Sequence, residues 1–481
     1  MAASEASSSA SDDECSVLST LTVASFATST VSEMSPSTAN RDKSMAADAG
    51  NSKDSSSVAL WVTYVNIILY ALCYQLQRPI EPFLVQQLSA NAADAESVTK
   101  TYGQLQAFFS TVQTIGSPLV GILLDRVGIR RASAMVFAAS AASYAILSVA
   151  TDMNLLFYSK IPTALQHAFL VAQATAATST AGDDAARAQA LGRMTTAYTI
   201  GATIGPAVGG YLAESGDLYL AAKLAVVGSL LSVALSLLFL PNVPSPKAGD
   251  AAAATATSTT IPTNQKKKSF LDELRHSGEI AARSVLWPLL VVKVVGGVAA
   301  SMYSTALPML LTQKLHFDPA QLGLSMSSSM FAVAAFSAVG MAPLTNLLGA
   351  SGLSKIGLGL RAVLGIVIAL VVSATFGGDS VMMQVIVVSV LHALASHALA
   401  TGLTTQTTGV VDAQEQGTLL GLEHGLFSLA RIGGAPMGTA LLAAGKEGFW
   451  LVASACGAVD ISLVALLFLA DSQISQKPKF R

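Results

Sequence analysis

Apolar stretches of about twenty residues follow one another along nearly the whole chain, from residue 58 to residue 470. A helix of that length crosses the hydrocarbon core of a bilayer. In lipid each backbone N–H and C=O must be satisfied within the protein, so apolar stretches of this kind fold as helices. The pattern predicts spans at 58–77, 102–123, 132–150, 154–179, 192–213 and 218–240, then at 285–312, 319–343, 354–376, 380–408, 418–443 and 448–470. The expected fold is an all-α membrane protein of about 12 transmembrane helices in two six-helix pseudo-repeats. Composition agrees: 12% of the 481 residues are charged, against about 25% in a soluble domain.

The divisions between these stretches suggest the domains. Residues 1–57, rich in Ser, Ala and Thr with an Asp12-Asp13-Glu14 cluster, read as a disordered cytoplasmic tail. That tail has no signal-peptide core, and its acidic residues argue against a transit peptide. Residues 58–240 form the first half, 241–284 a cytoplasmic linker, 285–470 the second half and 471–481 a short cytoplasmic tail. Basic residues fall mostly on one side of this topology, among them Arg126, Arg130, Arg131, Arg187, Arg193, Lys355 and Arg361, which puts both termini in the cytoplasm. Only Lys100, Lys314 and Lys446 lie squarely on the other side, with Arg78 and Lys223 near helix ends. The loop carrying Asp412 and Glu415 is an exception to the rule. In the linker, Lys266-Lys267-Lys268 precedes a stretch with Phe270, Leu271 and Leu274 on one helical face, either a helix lying on the inner leaflet or a plain solvated segment. Plasma and vacuolar or lysosomal membranes suit the pattern equally.

An internal repeat supports the two halves. A shift of 229 residues lays Asp125-Arg126-Val127-Gly128 over Ser354-Lys355-Ile356-Gly357, Leu191-Gly192 over Leu420-Gly421, and Gly205 and Gly209 over Gly434 and Gly438.

Two stretches carry more than hydropathy. Gly121 to Arg131 joins the second and third spans through a turn too short to be anything but a hairpin. Gly121 and Gly128 allow a sharp turn and close helices, while Arg126, Arg130 and Arg131 mark the cytoplasmic side. Asp125 is a carboxylate at a helix end, placed to meet an arginine or the positive N-terminus of another helix. In the fifth span, Gly201, Gly205 and Gly209 recur every four residues and form a bare helical face, with Gly192 before it, Gly210 beyond it and Pro206 bending it.

The arrangement G-x-x-x-D-R-x-G-x-R-R resembles the signature between helices two and three of the major facilitator superfamily, with Ile129 where an arginine is usual. The fifth-span spacing resembles the motif of drug/proton antiporters in that superfamily. Lys160-Ile161-Pro162-Thr163-Ala164-Leu165-Gln166-His167 looks like the fourth helix of its tetracycline-resistance-like and organic-cation-transporter-like members, as does Arg431 in the eleventh. Lys160, Thr163 and Ala164 replace an arginine, a glutamine and a glycine there. The resemblance covers residues 58–470. It implies that Asp125 and the nearby arginines latch the cytoplasmic side against the start of the eleventh helix. It also implies that Gly201 to Gly210 form a packing seam, and that spans one, four, seven and ten line a central path.

Those four spans carry Asn66, Gln75, Lys160, Gln166, His167, Gln173, Lys293, His392 and His397. Ionisable groups within a span cost about 2.5–3.5 kcal/mol on insertion scales and so face a cavity or a partner. Lys160 and His167 stand seven apart, on one face if the helix is continuous. Histidine titrates near neutral pH, which suits proton coupling. Each residue also has a structural reading: Lys160 can snorkel, the histidines can bond a neighbouring helix, and Asn66 and Gln75 can join helices. Arg431 and Asp460 fall near the middle of adjacent spans and are expected to pair. The first-half cavity has no carboxylate unless Glu81 reaches in.

The expected function is alternating-access transport of a small organic solute through the lipid bilayer, coupled to protons as antiport. A uniporter or a symporter of an anion or neutral metabolite is an alternative, as is a transporter-like receptor using the serine-rich tail. A monomer is expected. With no nucleophile–base motif, cofactor loop or metal-ligand spacing, and with Cys15, Cys73 and Cys456 far apart, the chain reads neither as an enzyme nor as a nucleic-acid binder, and needs no cofactor.

Overall fold

The structure, a computed structural model, describes residues 46–89, 95–180, 183–241, 278–279, 281–373, 379–411, 416–445 and 447–476. Most of the expected N-terminal tail, the linker helix and the last residues lie outside these. Regular structure among the described residues is all helical: α1 (Ala46–Leu76), α2 (Glu81–Leu88), α3 (Ala95–Val127), α4 (Ile129–Ser148), α5 (Met153–Tyr158), a 3-10 turn (Ile161–Leu165), α6 (Ala168–Ser179), α7 (Asp184–Ala213) and α8 (Leu220–Phe239). The second half continues with α9 (Trp287–Lys314), α10 (Pro319–Val339), α11 (Met341–Ser373), α12 (Asp379–Thr408), α13 (Gln416–Leu442) and α14 (Gly448–Gln476). α1 with α2 makes one traversal, and α5 with α6 another, so the order is six traversals before the linker and six after it. Eight of the segments are long and apolar enough to cross a membrane by themselves.

Two spans differ from expectation. The first runs on to Leu88, because Pro79 interrupts the helical bonding at Gln77–Ile80 and the chain then resumes as α2. α1 also begins at Ala46, well inside the expected tail. The fourth span is broken into α5, the 3-10 turn and α6 around Pro162.

Helix ends are set by local chemistry. Asp318 accepts from the Gln321 backbone N–H at 2.7 Å while the Gln321 side chain accepts from the Asp318 N–H, a reciprocal cap that starts α10 with Pro319 in its first turn. Gly128 holds φ 77° between α3 and α4, a conformation that costs glycine least. Its counterpart in the second half is Gly349, with φ 67° and ψ 166° against 77° and 168° at Gly128. The charged turn therefore repeats at a shift of 221, not 229, and Gly357 lies within a continuous helix. The 229 shift does hold for α7 and α13. A Cβ on Gly205 or Gly209 would strike Gln75 or the Leu76 carbonyl of α1, and one on Gly434 or Gly438 would strike Ser301 or the Met302 carbonyl of α9. The two halves repeat one packing plan.

Between the halves, α3 packs on α13 and α7 on α10. These contacts correspond as well: Gly103 meets Thr439 and the Ala435 carbonyl, and Gly323 meets Gly210 and the Pro206 carbonyl. At the end far from the Asp125–Arg131 turn, a single apolar cluster joins the halves, with Ile80, Leu84, Val98 and Leu105 from one and Met302, Met309, Leu310 and Phe449 from the other. Gln86 Nε2 to Thr312 Oγ1 (3.2 Å) and Thr99 Oγ1 to Gln313 Oε1 (3.0 Å) close that end. Among the described residues near the turn, the apolar clusters stay within one half or the other. Among the described residues, the apolar contact that joins the halves is concentrated far from the turn.

Candidate functional site

The interrupted first span places charge inside the protein. Arg78 lies in the break and Glu81 opens α2, so both sit within a segment that runs on in apolar residues to Leu88. Glu81 is 7% exposed and forms an ion pair with Lys160, also 7% exposed, from the break in the fourth span. Its second oxygen accepts from Gln106 Nε2 of α3 at 2.8 Å. The Lys160 ammonium lies 5.8 Å from the Phe109 ring centroid, and Phe109 stacks on Tyr74. Arg78, Glu81, Gln106, Lys160 and Tyr144 line one cavity in the first half.

The break that places Lys160 is itself held by side chains. Gln113 Nε2 donates to the Thr163 carbonyl (3.1 Å), the Tyr70 hydroxyl to the Gln166 carbonyl (3.1 Å), and Gln166 Nε2 to the Tyr144 hydroxyl (2.8 Å). Gly116 leaves room for the Ala164 carbonyl to approach α3. Backbone groups freed by the proline are thus satisfied inside the bundle. Lys160 and His167 do not share a helix face, because no continuous helix connects them. Both nevertheless meet α3, His167 Nε2 lying 3.1 Å from the Gln113 carbonyl.

A second cavity, sharing Arg78 and Gln106 with the first, lies between the halves. Arg431 of α13 enters it opposite Arg78, with Ser301, Ser304 and Thr305 of α9. Tyr74 of the first half lies within electrostatic reach of Arg431 of the second. Asp460 is not the partner of Arg431, contrary to expectation. Arg361 of α11 donates to both Asp460 oxygens, through Nε at 2.7 Å and through Nη2, and Nη2 also reaches the Gly296 carbonyl at 3.2 Å. α14 packs mainly on α9 and α11, so Asp460 faces away from the cavity into which Arg431 points. Arg361, counted by sequence among the cytoplasmic charges, is a buried structural residue, 6% exposed.

The other candidates divide. Lys293 of α9 pairs with Glu423 of α13 and donates to Thr404 and Thr407 of α12, each at 3.2 Å, joining three helices of the second half. His392 stacks on Tyr303 with ring centroids 4.0 Å apart, and a His397 ring nitrogen lies 2.6 Å from Ser337 Oγ. Asn66 donates to Ser236 Oγ at 3.1 Å, and Gln75 is packed against Gly205. None of Asn66, Gln75, His392 or His397 lines either cavity. Among the turn residues, Arg130 donates to the Leu240 carbonyl at the end of α8, while Arg126 and Arg131 are exposed. The side chain of Asp125 lies outside the described residues. No atom lies within 4 Å of where a Cβ on Gly121 would stand.

Sequence reasoning missed Arg78, which it left at a helix end. The signal was present: Arg78-Pro79 and Glu81-Pro82 place charges beside prolines while the apolar run continues through Phe83, Leu84 and Val85.

With this arrangement of helices and cavities in view, the family profile described as Major Facilitator Superfamily matches residues 63–346 and 289–481. The chain belongs to the Major Facilitator Superfamily. It is a multi-pass integral membrane protein. It is 28% identical over 271 residues to mouse "Solute carrier family 22 member 18", covering 55% of this chain and 62% of that protein. It is 31% identical over 191 residues to human "Solute carrier family 67 member A1", covering 39% and 43% respectively. The "Tetracycline resistance protein, class C" of Escherichia coli is 29% identical over 158 residues, 33% of this chain and 38% of that protein. The match spans less than two thirds of the length of each of these relatives. Among solved structures, the human organic anion transporter MFSD10 (TETRAN) aligns with a TM-score of 0.55 at 18% identity, over 86% of this chain and 99% of that one. A POT family transporter in complex with a thioalcohol-conjugated peptide aligns with a TM-score of 0.63 at 14% identity, over 87% and 96%. At these identities the two structures speak for the fold.

Proposed function

We propose that this superfamily member is a proton-coupled secondary transporter of a small organic ion, with Glu81 and Lys160 as the coupling pair. The observation that carries the proposal is the Glu81–Lys160 ion pair, nine-tenths buried and lining the cavity. Each partner of a buried ion pair offsets part of the cost of burying the other. A proton on Glu81, or an ion drawn to either partner, would remove that compensation and so link the two events. Arg78 and Arg431 share the space and bias that exchange.

Antiport is the direction favoured by the likeness to drug/proton antiporters and by the printed names of the tetracycline- and multidrug-resistance relatives. An organic cation would compete with the proton for Glu81. A second reading, symport, is favoured by the cavity lining, which holds three cations against one carboxylate. An anion drawn to Lys160 would release Glu81 to take up a proton with it. In proteoliposomes with an imposed pH gradient, a coupled carrier accumulates a probe ion against its concentration: cations towards the acidic side for antiport, anions towards the alkaline side for symport. Probe movement that ignores the gradient would leave a uniporter instead.

In the conformer closed on the opposite side, Asp125 with Arg126, Arg130 and Arg131 would latch the halves, and the turn side would be cytoplasmic. Asp125→Asn should then slow the same gradient-driven uptake several-fold without reducing the amount of protein in the membrane. Unchanged uptake would remove Asp125 from that role.

A further inference from the structure

We infer that the first-half cavity beside the Glu81–Lys160 pair is a binding site for one buried water molecule, held by Gln77, Lys160 and Tyr144. The site follows from the packing of the first four spans; its role in coupling rests on the transport reading above.

Gln77 stands in the break of the first span, where its carbonyl accepts from the Ile80 and Glu81 N–H groups at 3.1 Å each. It lines the cavity together with Glu81, Phe109, Tyr144 and Lys160. The residue is 5% exposed, and both Oε1 and Nε2 of its side chain are buried with no hydrogen-bond partner. A buried amide with nothing to bond is costly, and native chains keep few of them. Because both ends are unpaired, either orientation of the amide offers a donor and an acceptor.

Two other groups on the same walls have capacity to spare. Lys160 gives one of its three ammonium protons to Glu81. The Tyr144 hydroxyl accepts from Gln166 Nε2 at 2.8 Å and keeps its own proton to donate. A water accepts two hydrogen bonds and donates two, which suits Lys160 and Tyr144 as donors and the Gln77 oxygen as acceptor. The cavity leaves about 20 Å³ for the centre of a water molecule, and roughly 10–15 Å³ holds one. That room excludes an organic solute. A small inorganic anion would share the cavity with the Glu81 carboxylate, which repels it.

The water gives the Lys160 ammonium a partner that persists when Glu81 takes up a proton. Without it, protonating Glu81 would strip the buried ammonium of its counter-charge and offer it less in return. The other ionisable groups around Glu81 are Arg78 from its own span, Tyr102 from α3 and Tyr144 from α4, with Arg431 of α13 in the adjoining cavity. None of them replaces an oxygen beside Lys160 that the water supplies.

The test is hydroxyl-radical footprinting of the purified full-length protein in detergent, with brief X-ray exposure and a radical scavenger in the bulk solvent. A bound water is ionised where it sits and oxidises the side chains around it. The readout is oxidation of Tyr144 and Phe109, 4% and 8% exposed, measured by mass spectrometry. Phe137 and Phe169, buried in an apolar cluster of the same half, are the controls. Scavenger-resistant oxidation of Tyr144 and Phe109 is expected to exceed the controls several-fold and to fall to their level in Gln77→Leu. That variant should also unfold at a lower temperature, since it loses the bonds to the water; for an amide with no partner the same change would be neutral or stabilising. Oxidation no higher than in the controls, or an excess that persists in folded Gln77→Leu, would overturn the assignment. If Gln77→Leu does not fold, Tyr144→Phe read at Phe109 takes its place, with the same loss expected. In proteoliposomes, Gln77→Leu should move the midpoint of the solute-driven pH change towards acid by roughly one unit, and an unmoved midpoint would remove the water from coupling. Strong Tyr144 oxidation with no solute-driven pH change would leave the water site standing and sink proton coupling. Oxidation at control level with a pH change abolished by Glu81→Gln would do the reverse.

Discussion

Removing one partner of the Arg361–Asp460 pair leaves the other charge stranded in the second half, where Asp460 is 1% exposed and Arg361 6%. Breaking a buried pair from one side costs about 3–5 kcal/mol, while replacing both partners with apolar residues of similar size is often neutral. Asp460→Leu should therefore lower the unfolding temperature of the detergent-solubilised protein markedly, and Arg361→Met with Asp460→Leu should restore most of it. If the double variant were no more stable than the single one, the pair would have a role beyond charge balance. That buried charges exist in these spans was legible in the sequence; which arginine Asp460 meets was not. Arg431 and Arg361 both lie in apolar spans, and only the way α14 leans on α9 and α11 decides between them. The same limit applies to Asn66 and His397. Their polarity inside a span was plain, but whether each faced a cavity or a neighbouring helix depended on rotation about axes that hydropathy does not report. Glu81 was legible as a condition, since the first-half cavity lacked a carboxylate without it.

At the scale of helices, bare glycine faces set how closely the bundle packs. Gly209 on α7 and Gly438 on α13 stand against the Leu76 and Met302 carbonyls, with no space for a side chain. Gly209→Val and Gly438→Val should each force a helix outward and give a protein that inserts but elutes as an aggregate or unfolds many degrees lower. Gly121→Ala, at a position with open space around it, should leave elution and unfolding temperature unchanged. Equal damage from all three would mean that the packing seam is misplaced. The seam was readable because a four-residue glycine spacing fixes a helix face without any knowledge of the partner. The broken fourth span was less readable: Pro162 marked a weak point, but the break persists because Tyr70 and Gln113, distant in sequence, take the freed carbonyls. The repeat shows the same division. A shift of 229 located the α7–α13 correspondence from glycines alone, whereas the turn at Gly349 has lost its charges and could be found only from its backbone angles.

For the whole molecule, the described apolar contact between the two six-helix halves is concentrated at one end, beside a space lined by Arg78 from one half and Arg431 from the other. Closing the far end requires the apolar cluster around Ile80, Leu84, Met309 and Phe449; opening it requires that cluster to part. On the proposal above, a solute bound beside the Glu81–Lys160 pair would link that motion to a proton gradient. The twelve-span architecture was legible from hydropathy, since each span is long and the bilayer dictates its form. The sealed end was not, because it depends on contacts between residues more than 200 apart, such as Gln86 with Thr312. The measurement that tests the account most directly is the pH change that follows addition of organic anions, neutral compounds and cations, one at a time, to proteoliposomes of the purified protein. The account predicts a solute-dependent pH change for one charge class, lost in Lys160→Ala and in Glu81→Gln although both variants remain folded in the membrane. Solute movement with no pH change, or a pH change undiminished in both variants, would contradict it.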